Sequence, residues 1–145
     1  METLRLHAPI PGTQLHETPY PSCHIGSFET PAGVRIAALA HTLHLNETVF
    51  PNATVWDHTS WLRSYDHAMK SMHRQFWAFS SGGRMCLGSN FALQETKLIA
   101  AAVYSHFETT IVSDEGIEKS DGYSAQPTGN ALFLRLTPVE DGRVF

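Results

Sequence analysis

The sequence predicts an α+β fold, mostly α, for a chain of 145 residues. Three observations carry that reading. Phe91, Glu95, Leu98, Ala102 and Phe107 fall at three-, four- and five-residue steps, close to the helical period, so the segment after Cys86 reads as a long helix. Glu108-Thr-Thr-Ile-Val112 and Ala131-Leu-Phe-Leu-Arg-Leu-Thr137 are rich in strand-forming residues. Ala8-Pro-Ile-Pro-Gly12 reads as a helix stop, and Pro31-Ala-Gly33 as the join between two short strands.

Taken in order, residues 2–7 read as the end of a helix, with Glu2 and Arg5 three apart and able to pair on one face. Ala8-Pro-Ile-Pro-Gly12 stops that helix and starts an extended run. Strands are expected near 24–29 and 34–39, joined by Pro31-Ala-Gly33. An irregular meander is expected from about 44 to 78, then a glycine-rich loop and the long helix near 88–106. A strand at 108–112, a turn at Asp114-Glu-Gly116 and a last strand at 131–137 follow, the two strands pairing. Residues 139–145 read as a loose tail. No internal repeat or low-complexity segment interrupts this order.

Composition narrows the function classes. The formal charge is −4 and no basic run occurs, which argues against a nucleic-acid surface. An apolar content of 42% is ordinary for a folded chain rather than a disordered one. Leu98 to Val103 is the longest candidate apolar stretch and is far too short to span a bilayer. No signal peptide is visible. Two cysteines, Cys23 and Cys86, do not make a disulfide framework. Nine histidines invite a metal reading, with His41-x-x-His44 and Cys23-His24 the best candidates. No paired C-x-x-C and no H-E-x-x-H accompany them, so scattered surface or meander histidines are the expectation. Trp56, Trp61, Phe76, Trp77 and Phe79 are expected to pack around the loop. Glu95 reads as an exposed helix carboxylate near Lys97.

The chemistry is concentrated in Phe79-Ser-Ser-Gly-Gly-Arg-Met-Cys-Leu-Gly88, which fits F-x-x-G-x-R-x-C-x-G. A free thiol is mostly protonated at neutral pH, so a cysteine that binds metal needs help to ionise. Cys86 stands just before a helix N-terminus, whose dipole and unpaired N–H groups favour a thiolate. Gly82, Gly83 and Gly88 permit a tight turn and close approach of a bulky ligand. Two other readings stand beside this one: a buried thiol in a glycine turn, and a nucleophilic cysteine. The latter needs a base beside the sulfur, and His73, the nearest histidine upstream, has no spacing that supports a dyad.

The ten residues resemble the haem-ligand loop of the cytochrome P450 family. The resemblance implies that Cys86 is the metal ligand, holding the iron of haem b as a thiolate. It implies a cofactor-binding set of Cys86, Arg84, Phe79, Gly82, Gly88 and His16, with Arg84 facing a propionate. Glu2-Thr-Leu-Arg5 matches the family's E-x-x-R element, so Glu2 and Arg5 are implied to be structural. Pro31-Ala-Gly33 matches a P-x-G turn, and His44 to Pro51 matches an H-x-x-x-x-x-F-P stretch. The wording of Glu95-Thr-Lys-Leu-Ile-Ala-Ala and Asp114-Glu-Gly-Ile-Glu is nearest to fungal members.

Two departures bear on the cofactor. Ser60 stands where the family usually has the arginine that joins the E-x-x-R pair, with Arg63 nearby. His16 aligns with a propionate-binding arginine and would donate more weakly. The resemblance runs from Glu2 to about Glu140 and covers the C-terminal, proximal portion of the family's fold. It implies that the N-terminal majority, with the distal oxygen-handling helix and most substrate loops, is not in these residues.

The implied activity is a haem-thiolate monooxygenase that inserts one atom of O2 into an organic substrate. The alternative is a non-catalytic cytochrome P450 fragment with weak or no haem binding. No catalytic residue is assigned. Implied partners are an NADPH-dependent reductase and a small organic substrate, with no nucleic acid and no membrane anchor in this chain. The implied location is cytoplasmic or cytosol-facing, or the endoplasmic reticulum membrane if a longer chain carries an anchor. A partial core is also expected to leave large apolar patches exposed.

Overall fold

The computed structural model describes residues 1–64, 66–120 and 122–139. Contacts divide the chain into two compact units. The first comprises Met1–Met85 with Asp121–Ala125, and the second Cys86–Ser120 with the segment that begins at Gln126.

The first unit begins with α1 (Glu2–Leu6). Four strands follow: β1 (Thr13–Glu17), β2 (Ser22–Ile25), β3 (Phe28–Pro31) and β4 (Arg35–Leu39). They form two antiparallel pairs, β1 with β4 and β2 with β3. This corrects the expected hairpin of 24–29 with 34–39. The tight turn is at Gly26-Ser27, where Gly26 takes φ +62° and closes Ile25 opposite Phe28. Pro31-Ala-Gly33 instead links β3 to β4, and Gly33 at φ +78° lets its N–H reach the Thr18 carbonyl at 3.1 Å. Thr18 is buried and pins the crossing: its backbone N–H donates to the Val34 carbonyl at 3.0 Å, and its hydroxyl accepts from the Val34 N–H at 2.9 Å.

Strand β1 was not expected from the sequence. Its alternation runs the wrong way for a hydrophobic pattern: Gln14 and His16 face inward, while Leu15 is 60% exposed. A strand whose inner face is polar looks like a loop to any reading based on apolar periodicity.

The meander expected over 44–78 contains more order than the sequence suggested. Helix α2 (Ala40–His44) extends directly from β4, and a 3-10 turn spans His58–Trp61. Helix α3 (His67–Gln75) is a further correction. The Asp66 carboxylate caps it by accepting from the Met69 N–H at 2.9 Å, and Met69 and Met72, three apart, turn inward. Met72 packs with Phe50 and Ala53 in the core of this unit, and Leu45, Val49 and Trp61 close around them.

The second unit contains helix α4 (Ser89–His106), β5 (Phe107–Ser113) and β6 (Phe133–Pro138). The expected pairing of the last two strands is present, antiparallel from Phe107 opposite Pro138 to Ser113 opposite Phe133, with a register shift between Ile111 and Ser113. Phe107 begins the strand rather than continuing the helix. Gly116 and Gly129 meet backbone to backbone; a Cβ on Gly116 would come within 2.7 Å of the Gly129 Cα, so only glycine fits there. Apolar side chains lie exposed along this unit, among them Leu87, Phe91, Leu98, Ile99 and Phe133. The tail expected over 139–145 falls, from residue 140 on, outside the described residues. Val139 itself donates its N–H to the His106 carbonyl at 2.9 Å.

Candidate cofactor-binding site

Arg5 is 4% exposed and Glu2 5%, so the charges of this pair sit away from water. Such a pair is tolerable only when its remaining hydrogen-bonding capacity is met. Here it is met. The guanidinium forks onto the carboxylate, Nε to Glu2 Oε2 at 2.8 Å and Nη2 to Oε1 at 2.7 Å. Nη1 donates to the carbonyls of His44 at 2.7 Å and Ala53 at 2.6 Å, and Nη2 also reaches Val55 O at 3.3 Å. Arg5 thereby ties α1 to α2 and to the segment after the core residue Phe50, whose ring lies 5.1 Å below its Cζ.

The second half of the Glu2 carboxylate is satisfied without an arginine. Trp61 Nε1 donates to Glu2 Oε2 at 2.8 Å, and the Asp57 N–H donates to Oε1 at 3.1 Å. Burial pushes the Glu2 carboxyl up, but the hydrogen bonds from Arg5, Trp61 and Asp57 outweigh it and hold it below its ordinary value. Ser60, at the position of the missing arginine, bonds elsewhere: its hydroxyl donates to Asp57 Oδ2 at 2.8 Å. With Thr59 also donating, the Asp57 carboxyl is held down at about 2. Arg63 is exposed and acts on Asp57 through charge alone. The sequence places Trp61 only among the aromatic residues around the loop. It does pack there, edge-on to Phe76 at 5.5 Å, but its indole N–H has a second task.

His44, at the start of the expected meander, is buried, with 1% exposure. Its Nδ1 pairs with the Arg5 carbonyl at 2.8 Å, and its Nε2 accepts the Trp77 N–H at 2.8 Å. The second contact requires an unprotonated Nε2, so the neutral ring with hydrogen on Nδ1 satisfies both. Burial lowers its pKa to about 4. The ring stacks on Phe76 at 5.5 Å. His44 thus anchors the chain two residues before Phe79 to the Arg5 backbone. Trp56, by contrast, is half exposed and stacks on His58 rather than in the core.

Past that anchor the chain turns tightly. The Ser80 N–H donates to Trp77 O at 3.1 Å with Ser80 at φ +63°, and Gly82 repeats the same left-handed conformation at φ +63°. Residues Gly82–Arg84 form one 3-10 turn, with Met85 N–H donating to Gly82 O. No atom lies within 4 Å of a Cβ built on Gly82 or Gly83, so open space borders both. Phe79 is half-buried and Arg84 is exposed.

In the second unit, Cys86 is a free, exposed thiol. Its carbonyl accepts the Ser89 N–H at 3.2 Å, and α4 begins at Ser89, so the sulfur stands three residues ahead of the first helical residue. A Cβ on Gly88 would lie 4.0 Å from the Cys86 Sγ, so glycine leaves that side of the sulfur bare.

His16 and Gln14 share the inner face of β1. The His16 ring lies 5.5 Å from Trp77, and Gln14 Nε2 donates to Trp77 O at 3.1 Å. His16 Nε2 and Gln14 Oε1 are buried and have no hydrogen-bond partner. Buried polar atoms without partners are uncommon and point to a missing group. Within the first unit, the orphaned imidazole nitrogen suits a carboxylated group; within the second, the exposed thiol ahead of a helix suits an iron-bearing one. Among the described residues, no cluster of three histidine, cysteine, aspartate or glutamate side chains could hold a bare metal ion.

Solved structures share this architecture. The cytochrome P450DA heme domain matches 94% of this chain and 29% of its own at 25% identity, with a TM-score of 0.71. Retinoic acid bound cyanobacterial CYP120A1 has the same fold, with a TM-score of 0.74 over 95% of this chain and 31% of its own at 24% identity. The family model described as Cytochrome P450 matches residues 1–134, and this chain belongs to the cytochrome P450 family. Among curated relatives, cytochrome P450 monooxygenase hkm5 of Aspergillus hancockii is 30% identical over 87% of this chain and 24% of its own length. Cytochrome P450 monooxygenase cloA of Claviceps purpurea is 31% identical over 79% and 22%. An inactive cytochrome P450 monooxygenase cloA of Claviceps fusiformis is 29% identical over 79% and 22%. The chain therefore spans about a quarter of the length of these relatives.

Proposed function

We propose that this chain supplies the proximal, iron-ligating portion of a haem-thiolate monooxygenase, in which Cys86 would hold the iron. The observation that carries the reading is Cys86 itself: a free, exposed thiol three residues before an eighteen-residue helix, on a loop with the family's fixed residues in register. The helix N-terminus favours the thiolate form that metal binding requires. When bound, thiolate-ligated haem supplies oxygen activation, the thiolate's electron donation favouring O–O cleavage.

The chain's own residues bind and position. Cys86 would hold the iron, Gly82 and Gly88 would keep the approach to the ring clear, Phe79 would pack beside it, and Arg84 and His16 would bind the propionates. Glu2 and Arg5 stay structural, and His44 holds the segment that leads into the loop. Substrate is a small organic molecule, and electrons come from an NADPH-dependent reductase, both by family membership. No helix among the described residues is long and apolar enough to cross a membrane.

The test is direct. Purified chain is mixed with hemin, reduced and exposed to carbon monoxide, and the absorption spectrum is recorded. A red-shifted Soret band of thiolate-bound haem is expected. A spectrum of unligated or histidine-ligated haem in a folded sample overturns the reading.

A further inference from the structure

The His44 ring joins two parts of the first unit, and its two contacts respond oppositely to one proton. Nδ1 pairs with the Arg5 carbonyl on α1 at 2.8 Å. Nε2 accepts the main-chain N–H of Trp77, two residues before Phe79, at 2.8 Å. Hydrogen on Nδ1 meets a carbonyl in either charge state, and a charge on the ring strengthens that bond. Hydrogen on Nε2 would face the Trp77 hydrogen, because a backbone amide can only donate. The ring has no room to turn aside. It is 1% exposed and stacks on Phe76 at 5.5 Å, and its own carbonyl accepts from Arg5 Nη1 at 2.7 Å. Relief therefore falls to the Trp77 side, where the Trp77 carbonyl accepts from Gln14 Nε2 and from the Ser80 N–H, each at 3.1 Å.

We infer that His44 is an acid-released latch: on taking a proton at Nε2 it lets go of the Trp77 segment and keeps its hold on Arg5, so the chain leading to Phe79 loosens while the rest of its unit stays folded. The groups that act on the ring by charge are Arg5 and Glu2 from α1 and His41 from its own helix. Arg5 and His41 oppose the proton, and Glu2 favours it. Phe76 and Trp77, which meet the ring from the segment after α3, do not titrate. Burial adds to the opposition and sets release near pH 4, well below the ordinary 6.5. The latch is built from the chain's own residues and does not rest on the haem reading.

The test follows single amides of the full chain by hydrogen exchange and NMR across a pH series, each rate corrected for the intrinsic effect of pH. Protection of the Trp77 amide should fall about ten-fold per pH unit from 6.5 toward 4, because the released ring takes a proton that the latched ring refuses. The Leu45 amide, which donates to the His41 carbonyl at 3.1 Å at the end of α2, should remain protected where Trp77 has lost its protection. His44→Gln offers Trp77 an acceptor that does not titrate, and its Trp77 amide should stay protected throughout. A Trp77 amide still protected at pH 4 in the wild type overturns the latch. Loss of Trp77 and Leu45 protection together overturns it as well, because the whole unit then unfolds at once. A His44→Gln profile equal to the wild type assigns the proton to another group and overturns it too. Where His44→Gln does not fold, the comparison of Trp77 with Leu45 in the wild type decides alone.

Discussion

The indole of Trp61 donates to the buried Glu2 carboxylate at 2.8 Å, on the oxygen that also takes the Arg5 Nε proton. A neutral donor therefore completes a network that the family usually finishes with a second cation. Trp61→Phe keeps the ring contacts with Phe50 and Phe76 and removes only the donor. A lost hydrogen bond to a buried charge should cost about 2 kcal/mol, read from denaturant midpoints at constant slope.

Arg5 differs from an ordinary surface cation because each of its N–H groups has an acceptor. Lysine keeps the charge but cannot bridge a carboxylate and three carbonyls in one plane. Arg5→Lys should destabilise the chain by about 3 kcal/mol, comparable to breaking a buried ion pair. A shift below about 1 kcal/mol in equilibrium unfolding would show that the network is not holding α1 in place.

His44 makes stability depend on pH with a defined sign. Its folded pKa, about 4, lies below its ordinary 6.5. Between these values the unfolded chain takes up a proton that the folded chain refuses, so stability is full above pH 6.5 and falls as pH drops toward 4. His44→Leu should be weaker at pH 7 by about 2–4 kcal/mol, since the Arg5 carbonyl and the Trp77 N–H lose their partner. It should also show a shallower pH slope in that window, measured by urea unfolding across a pH series.

The glycine pair of the loop should respond unequally to alanine. Gly82 holds φ +63°, which costs an L-residue about 1–2 kcal/mol, whereas Gly83 has no such requirement. Neither site is crowded. Gly82→Ala should therefore lower stability by about 1 kcal/mol and Gly83→Ala by less than about 0.5, compared by thermal unfolding. Equal effects would mean that the loop takes another conformation.

Much of this architecture was legible because a few residues carry strong local rules. The long helix after Cys86, the pairing of 108–112 with 131–137 and the Glu2–Arg5 spacing follow from periodicity and β-branching. The loop could be read because glycine, arginine and cysteine at fixed offsets are rare together. What escaped the sequence did so for physical reasons. Strand β1 half-buries Gln14 and His16 and exposes Leu15, opposite to the usual pattern. Helix α3 is short and mostly polar, and only its Asp66 cap and the Met69–Met72 spacing announce it. Trp61 as a carboxylate donor and His44 as a buried bridge depend on partners 59 and 39 positions away, and no local pattern encodes contacts of that range.

Everything functional rests on Cys86 ligating iron. X-ray absorption at the iron edge of the hemin complex tests this most directly, with Cys23→Ser as the control and Cys86→Ser as the challenge. One sulfur neighbour in the iron's first shell, kept in Cys23→Ser and lost in Cys86→Ser, is the predicted result. A first shell of nitrogen and oxygen alone in the wild-type chain would contradict it.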